Sequence, residues 1–222
     1  MVNKSEAVEI ELICIIINLG LGSKLIKTAK RCGITGGTVL LARGTTNNRI
    51  LNYMGLSDVR KEVAIFVCDK ETANQTLEKI NMEFKFCRPN NGIAFTTSIC
   101  TSVGTRNYNC DNTQKKGGVN HTMYHVITII VEKGKAEDVI DAATKAGSKG
   151  GTIINGRGSG IHETSKLFSM DIEPEKEIVI VLSEADKTEA IVSSINKDLK
   201  IDEPGNGIIY VQDVNKTYGI YK

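Results

Sequence analysis

Tryptophan is absent from this 222-residue chain, only three histidines occur, and none of the six cysteines stands in a C-x-x-C pair. Each shortage removes a class of chemistry. A zinc or redox centre needs convergent Cys/His ligands at short spacing, and this chain does not supply them. All six cysteines (Cys14, Cys32, Cys68, Cys87, Cys100, Cys110) lie in the first half. The matching second-half positions carry Ser183 for Cys68 and Asp202 or Glu203 near Cys87. The fold therefore does not require them, and they read as reduced, partly buried thiols. Charge of one sign is also missing. The formal net charge is +2, and residues 1–111 carry 14 Lys+Arg against 10 Asp+Glu, with 14 against 16 in the remainder. No basic stripe of the kind nucleic acid selects is present. The longest apolar run, Leu12 to Ile17, is far too short to cross a bilayer. The start, Met1 to Glu6, leads into a strand-like run without a cleavage pattern, so the expected location is the cytoplasm. There is no G-x-x-x-x-G-K-[ST] and no H-E-x-x-H. His121, His125 and His162 have no first-half counterparts, and Asn48 stands at the His162 position. No nucleophile–base pairing emerges, and the chain is expected to be no enzyme.

What is present is a repeat. Gly33-Ile34-Thr35-Gly36-Gly37-Thr38 recurs as Gly147-Ser148-Lys149-Gly150-Gly151-Thr152, and Arg43-Gly44 as Arg157-Gly158. Lys61-Glu62-Val63 recurs as Lys176-Glu177-Ile178, and Pro89-Asn90-Asn91-Gly92-Ile93 as Pro204-Gly205-Asn206-Gly207-Ile208. Four blocks in one order predict two copies of one domain of about 100 residues, a usual domain size. The expected boundaries are 1–106 and 123–222. Between them, 107–122 is rich in Asn, Lys and Gly and reads as a flexible linker.

Each half reads strand, helix, strand, strand, helix, strand. In the second, Val126–Val131 is short and β-branched, which suits a strand. Ala136–Ala146 places Val139, Ile140, Ala143 and Ala146 at helical spacing, with Gly147 as its natural terminator. Thr152–Ile154 and Glu177–Leu182 follow as strands, Asp186–Asn196 as a helix and Gly207–Val211 as the last strand. The first half predicts strands at Glu9–Ile17, Thr38–Ala42, Glu62–Cys68 and Gly92–Ser98, and helices at Ser23–Arg31 and Lys70–Asn81. The βαββαβ order implies α+β, ferredoxin-like domains: antiparallel sheets with helices on one face.

Two loops per half could carry chemistry. Arg43-Gly44-Thr45 and Arg157-Gly158-Ser159-Gly160 combine exposed backbone amides, hydroxyls and a guanidinium, a set that suits an anion. The bland alternative is a turn with a surface arginine. Asn90-Asn91-Gly92 and Gly205-Asn206-Gly207 contain residues that tolerate the left-handed backbone, which lets successive amides face one phosphate. A tight connection into the last strand would explain them equally.

These residues, in this order, resemble the nitrogen-regulatory PII signalling proteins, here in tandem over 9–106 and 125–222. The most specific stretch is Gly33 to Val39. The resemblance implies ferredoxin-like domains assembled as trimers that bind adenine nucleotide in clefts between neighbouring domains. Binding there shifts a protruding loop that docks on enzymes, transcription factors or ammonium transporters. It places Thr38 and Thr152 near the adenine, and Gly44 and Gly158 at the base of the protruding loop, with Gly160 as a second glycine. It assigns Asn90-Asn91-Gly92 and Gly205-Asn206-Gly207 to the phosphates. The departures bear on affinity. Ile93 and Ile208 replace a lysine, Gly104 and Gly219 stand where an arginine is expected, and only Arg106 and Lys222 remain near a second. Each lost charge-assisted hydrogen bond forfeits roughly 1.5–3 kcal/mol, so two losses weaken a triphosphate site about a hundredfold or more. Asn48 and His162 replace the glutamine that helps hold 2-oxoglutarate and magnesium, and the protruding loop is short, although Tyr53 lies within it.

The sequence thus implies a non-enzymatic regulatory protein forming a homo-oligomeric, trimer-like ring. It would bind a small anionic metabolite, with ATP, ADP or AMP as the candidate regulatory ligand and no certain cofactor. It would regulate a partner such as a transporter or metabolic enzyme without entering the membrane or binding nucleic acid. Two alternatives stand beside it: a ligand-free structural oligomer of the same fold, and a CutA-type metal-binding protein.

Overall fold

The computed structural model describes residues 9–45, 58–99, 123–157, 165–167, 170–172 and 174–220. The first half contains β1 (Ile10–Asn18), α1 (Gly22–Arg31), β2 (Thr38–Thr45), β3 (Asp58–Asp69), α2 (Lys70–Phe84) and β4 (Gly92–Ile99). The second contains β5 (Tyr124–Glu132), α3 (Ala136–Lys145), β6 (Thr152–Arg157), the short strands β7 (Ser165–Leu167) and β8 (Met170–Ile172), and β9 (Glu175–Glu184). A 3₁₀ turn (Ala185–Lys187), α4 (Thr188–Leu199), β10 (Ile208–Asp213) and β11 (Lys216–Tyr218) complete it. The architecture is α+β and ferredoxin-like, with the βαββαβ order occurring twice. Among the described residues no helix is long and apolar enough to cross a membrane.

Packing divides the chain into two units. The first holds residues to Val39, Val63–Thr122 and Val214–Lys222; the second holds Leu40–Glu62 and Met123–Asp213. The second half's tail thus packs with the first unit, and the end of β2 with the second.

In the first unit the strands run β3-β1-β4-β11, and β1 and β4 pair antiparallel from Ile10↔Ile99 to Ile17↔Gly92. The alternation of β1 turns Ile13, Ile15 and Ile17 into one core. They meet Leu25 and Ala29 of α1, Phe66 of β3, and Ala73, Leu77, Ile80 and Phe84 of α2, the helical spacing that makes a single apolar face. Asp69 caps α2 by accepting the Thr72 N–H at 2.8 Å. Lys85 ends the helix in the left-handed region (φ 53°).

The second unit repeats this logic with strand order β10-β5-β9-β6-β2. Ile127, Ile129 and Val131 of β5 and Val179 and Val181 of β9 pack on Val139, Ile140 and Ala143 of α3 and Ile191 and Ile195 of α4. Gly147 follows α3 at φ +98°, where a side chain would be strained. Lys200 ends α4 left-handed at φ 52°, matching Lys85.

Candidate functional site

The Arg-Gly-Thr stretch of β2 lies along the start of β6 in the second unit, with Arg43↔Ile153 and Gly44↔Thr152. Thr45 closes the pairing: its N–H and hydroxyl both donate to the Gly151 carbonyl (2.9 and 3.1 Å). The same hydroxyl lies 3.0 Å from the Gly151 N–H that donates to it. A Cβ on Gly150 (φ +133°) would sit 2.5 Å from the Thr45 carbonyl oxygen, so glycine is required there. Gly44 is buried beneath the stem of Lys61, whose ammonium is pushed below its ordinary value by burial. Thr152 is buried in the same strand, between Gly44 and Ile180. Two motifs singled out from the sequence therefore meet.

Arg43, read from the sequence as an anion receptor, is engaged by carboxylates. Its guanidinium bonds Glu137 at 2.8 Å and Glu177 at 3.1 Å. Glu177 is only 4% exposed. Its other oxygen accepts the N–H groups of Gly134 and Ala136, both at 2.9 Å, at the start of α3. That helix has no capping side chain of its own at Lys135, so Glu177 serves as its cap from across the fold. Sequence reasoning missed Glu137 and Glu177. The only signal was the repeated Lys-Glu-Val/Ile block.

The glycine–asparagine turns are built alike in both units. Asn91 donates its side-chain amide to the carbonyls of Lys85 (3.0 Å) and Phe84 (3.2 Å), and Asn206 donates to Lys200 (2.9 Å). Their backbone amides point inward as well, to Arg88 (3.4 Å) and Glu203 (3.3 Å). Asn90 is left-handed (φ 64°), and its carbonyl accepts from Asn18. Gly92 and Gly207 have φ of 144° and 140°, and a Cβ on either would strike a β1 or β5 carbonyl at 2.6 or 2.5 Å. The asparagines thus secure helix ends and fix each turn's shape.

Beside Asn206 opens a cavity of about 570 Å³. Lys135, Lys145 and Lys197 face Asp138, Asp141 and Asp198 there, with Glu132 at the edge. Lys145 pairs with Asp198 at 3.0 Å, and this bond raises the lysine's pKa. Thr38 and Arg157 are exposed at the ends of β2 and β6. Arg106, Gly158 and Gly160 lie outside the described residues, as do Asn48, Tyr53, His121, His162 and Lys222.

His125 holds no nucleophile. Its ring lies 3.0 Å from the Thr188 hydroxyl and 3.3 Å from Asp213. Among the described residues no group of three or more His, Cys, Asp or Glu could hold a metal ion. Cys14, Cys32, Cys68 and Cys87 are free thiols, the first and third buried. Burial pushes both buried thiols up to about 12, with Asp69 and Glu11 adding to the effect at Cys68.

Comparison with known proteins follows the same lines. The family model described as "Nitrogen regulatory protein P-II" matches residues 124–222. Nitrogen regulatory protein P-II 1 of Methanothermobacter thermautotrophicus is 34% identical over 94 residues, covering 40% of this chain and 81% of that protein. Among solved structures, Arabidopsis thaliana PII bound to citrate matches with a TM-score of 0.34 and 24% identity, covering 42% of this chain and 78% of that one. With the repeated βαββαβ order and the match at 124–222, this identity places the chain in the nitrogen regulatory protein P-II family.

Proposed function

We propose that this protein is a non-enzymatic signalling protein of the cytoplasm that binds a small anionic metabolite and reports its occupancy to a partner. One observation carries the reading: the glycine–asparagine turn is prebuilt in both units, its asparagine amide pinned to a left-handed helix end. A turn already held in shape loses little conformational freedom when a ligand docks on its backbone. At Gly205-Asn206-Gly207 the turn is exposed, with open space around Gly205, and it borders the 570 Å³ cavity. The charges of that cavity nearly cancel, and Ile208 stands where the resemblance expects a lysine. Both features favour an anion of modest charge over a triphosphate, so AMP and ADP rank above ATP. A homo-oligomeric, trimer-like ring and a regulated transporter or enzyme complete the proposal. Calorimetric titration with AMP, ADP and ATP tests it. Heat from AMP or ADP is expected, and no heat from any of the three at millimolar concentration removes nucleotides from contention.

The commitment of Arg43 to Glu137 and Glu177 favours a second reading, a ligand-free interaction protein. Capture of a partner that is indifferent to added nucleotide would support it over the first.

A further inference from the structure

We propose that the residues around β11 form a strap that closes the Asn90–Gly92 turn of the first unit, leaving Gly205–Gly207 as the one open ligand turn. The inference rests on the reading of these turns given above and adds their regulation.

The strap is anchored at several points. Val214 is buried. The Asn215 N–H donates to the Thr96 carbonyl at 2.9 Å, and its side-chain amide donates to Ser98 (2.9 Å) and to the carboxylate of Glu11 (3.0 Å). Glu11 is 4% exposed, so the strap supplies a donor to a buried acid. Lys216, Thr217 and Tyr218 pair with Thr96, Phe95 and Ala94 of β4. The Lys216 ammonium reaches Glu78 (3.1 Å) and Asn74 (3.3 Å) on α2 and stands 5.6 Å from the Tyr218 ring centre. The chain then turns left-handed at Gly219 (φ +83°), so close to the turn that a Cβ there would lie 2.1 Å from the Gly92 carbonyl oxygen. The strap therefore ends on the glycine of the candidate ligand turn.

The second unit presents the same turn uncovered. Asn91, Gly92 and Ile93 are half-buried, whereas Asn206, Gly207 and Ile208 are exposed, Ile208 to 54%. Tyr210 and Val211, the counterparts of Phe95 and Thr96, are 43% and 42% exposed; Phe95 and Thr96 themselves are buried under β11. Among the described residues no strand flanks β10 on its outer side. Three paired residues at a sheet edge open more readily than a core strand. Opening of the strap would expose the second turn without disturbing either core.

The test uses the full chain, wild type and Gly219→Ala. AMP titrated into wild type is expected to bind once per chain, and Gly219→Ala to admit a second molecule. Two equivalent events in wild type, or a single event in both proteins, would overturn the strap. Amide exchange across residues 91–94, read without ligand, is expected to accelerate about tenfold or more in the variant, as local opening predicts. Unchanged exchange there overturns the proposal by itself. If neither protein takes AMP, the ligand reading fails while exchange still decides the strap. Lys216→Ala removes only the surface anchor and should accelerate exchange in the same segment, which guards against a misfolded Gly219→Ala.

Discussion

Replacing Glu177 by alanine withdraws one acceptor from three donors: the Gly134 and Ala136 amides and the Arg43 guanidinium. Loss of the cap on α3 costs about 1 kcal/mol, since Lys135 offers no substitute. The bond to Arg43 is charge-assisted and would be worth roughly 1.5–3 kcal/mol if fully enclosed. Arg43 is 31% exposed and keeps Glu137, so about 1 kcal/mol is the better figure for that bond. Removing the buried side-chain methylene adds roughly 0.8 kcal/mol. The sum is about 3 kcal/mol, confined to the second unit. Glu177→Gln keeps one carbonyl oxygen as acceptor and should cost about half as much. Urea unfolding followed by circular dichroism gives the totals, and amide exchange across residues 134–140 locates them in α3. Arg43→Ala alone should cost about 1 kcal/mol, and the double variant should fall short of additivity by a similar amount. A Glu177→Ala penalty below about 1 kcal/mol, or strict additivity with Arg43→Ala, would refute the shared-acceptor account.

Gly37→Ala should destabilise the first unit by about 2 kcal/mol or more, because its Cβ would meet the Phe66 ring at 2.3 Å. Gly151→Ala meets the end of Ile140 at 2.6 Å; thermal unfolding should show partial rescue by Ile140→Val, and full rescue would deny the remaining contact with the Ile180 carbonyl. Among the described cysteines, a maleimide at pH 8 should modify exposed Cys87 in the native protein and reach Cys14 and Cys68 only after denaturation. Fast native labelling of either buried thiol contradicts their enclosure. The bond from Lys133 holds the Glu175 carboxyl below its ordinary value. Its contribution is therefore full above the unfolded-state value and lost as pH falls through the lowered one. NMR titration of Lys133→Ala should move that carboxyl back up, and an unmoved midpoint would rule the pair out as the cause.

The element order was legible because apolar spacing is a local property: Ala73, Leu77, Ile80 and Phe84 announce a helix wherever they pack. β11 was not legible, since Lys-Thr-Tyr has no strand pattern and is extended only because β4 offers it an edge. The chemistry of Arg43 was misjudged for a related reason. A guanidinium beside a glycine suits an anion, but the anions it meets, Glu137 and Glu177, arrive from sequence positions far away. The asparagine turns show the converse case. The six-residue spacing of Lys85 to Asn91 and Lys200 to Asn206 was in plain view, yet its meaning depends on both lysines adopting left-handed backbone.

Gly37 and Gly151 sit in the stretch by which kinship is most readily recognised, and both are there because a methyl group would collide with Phe66 or Ile140. A descendant that had abandoned every metabolite would still be obliged to keep them. That fingerprint therefore certifies how these chains stack their layers, and it is silent about whether a given one still senses anything.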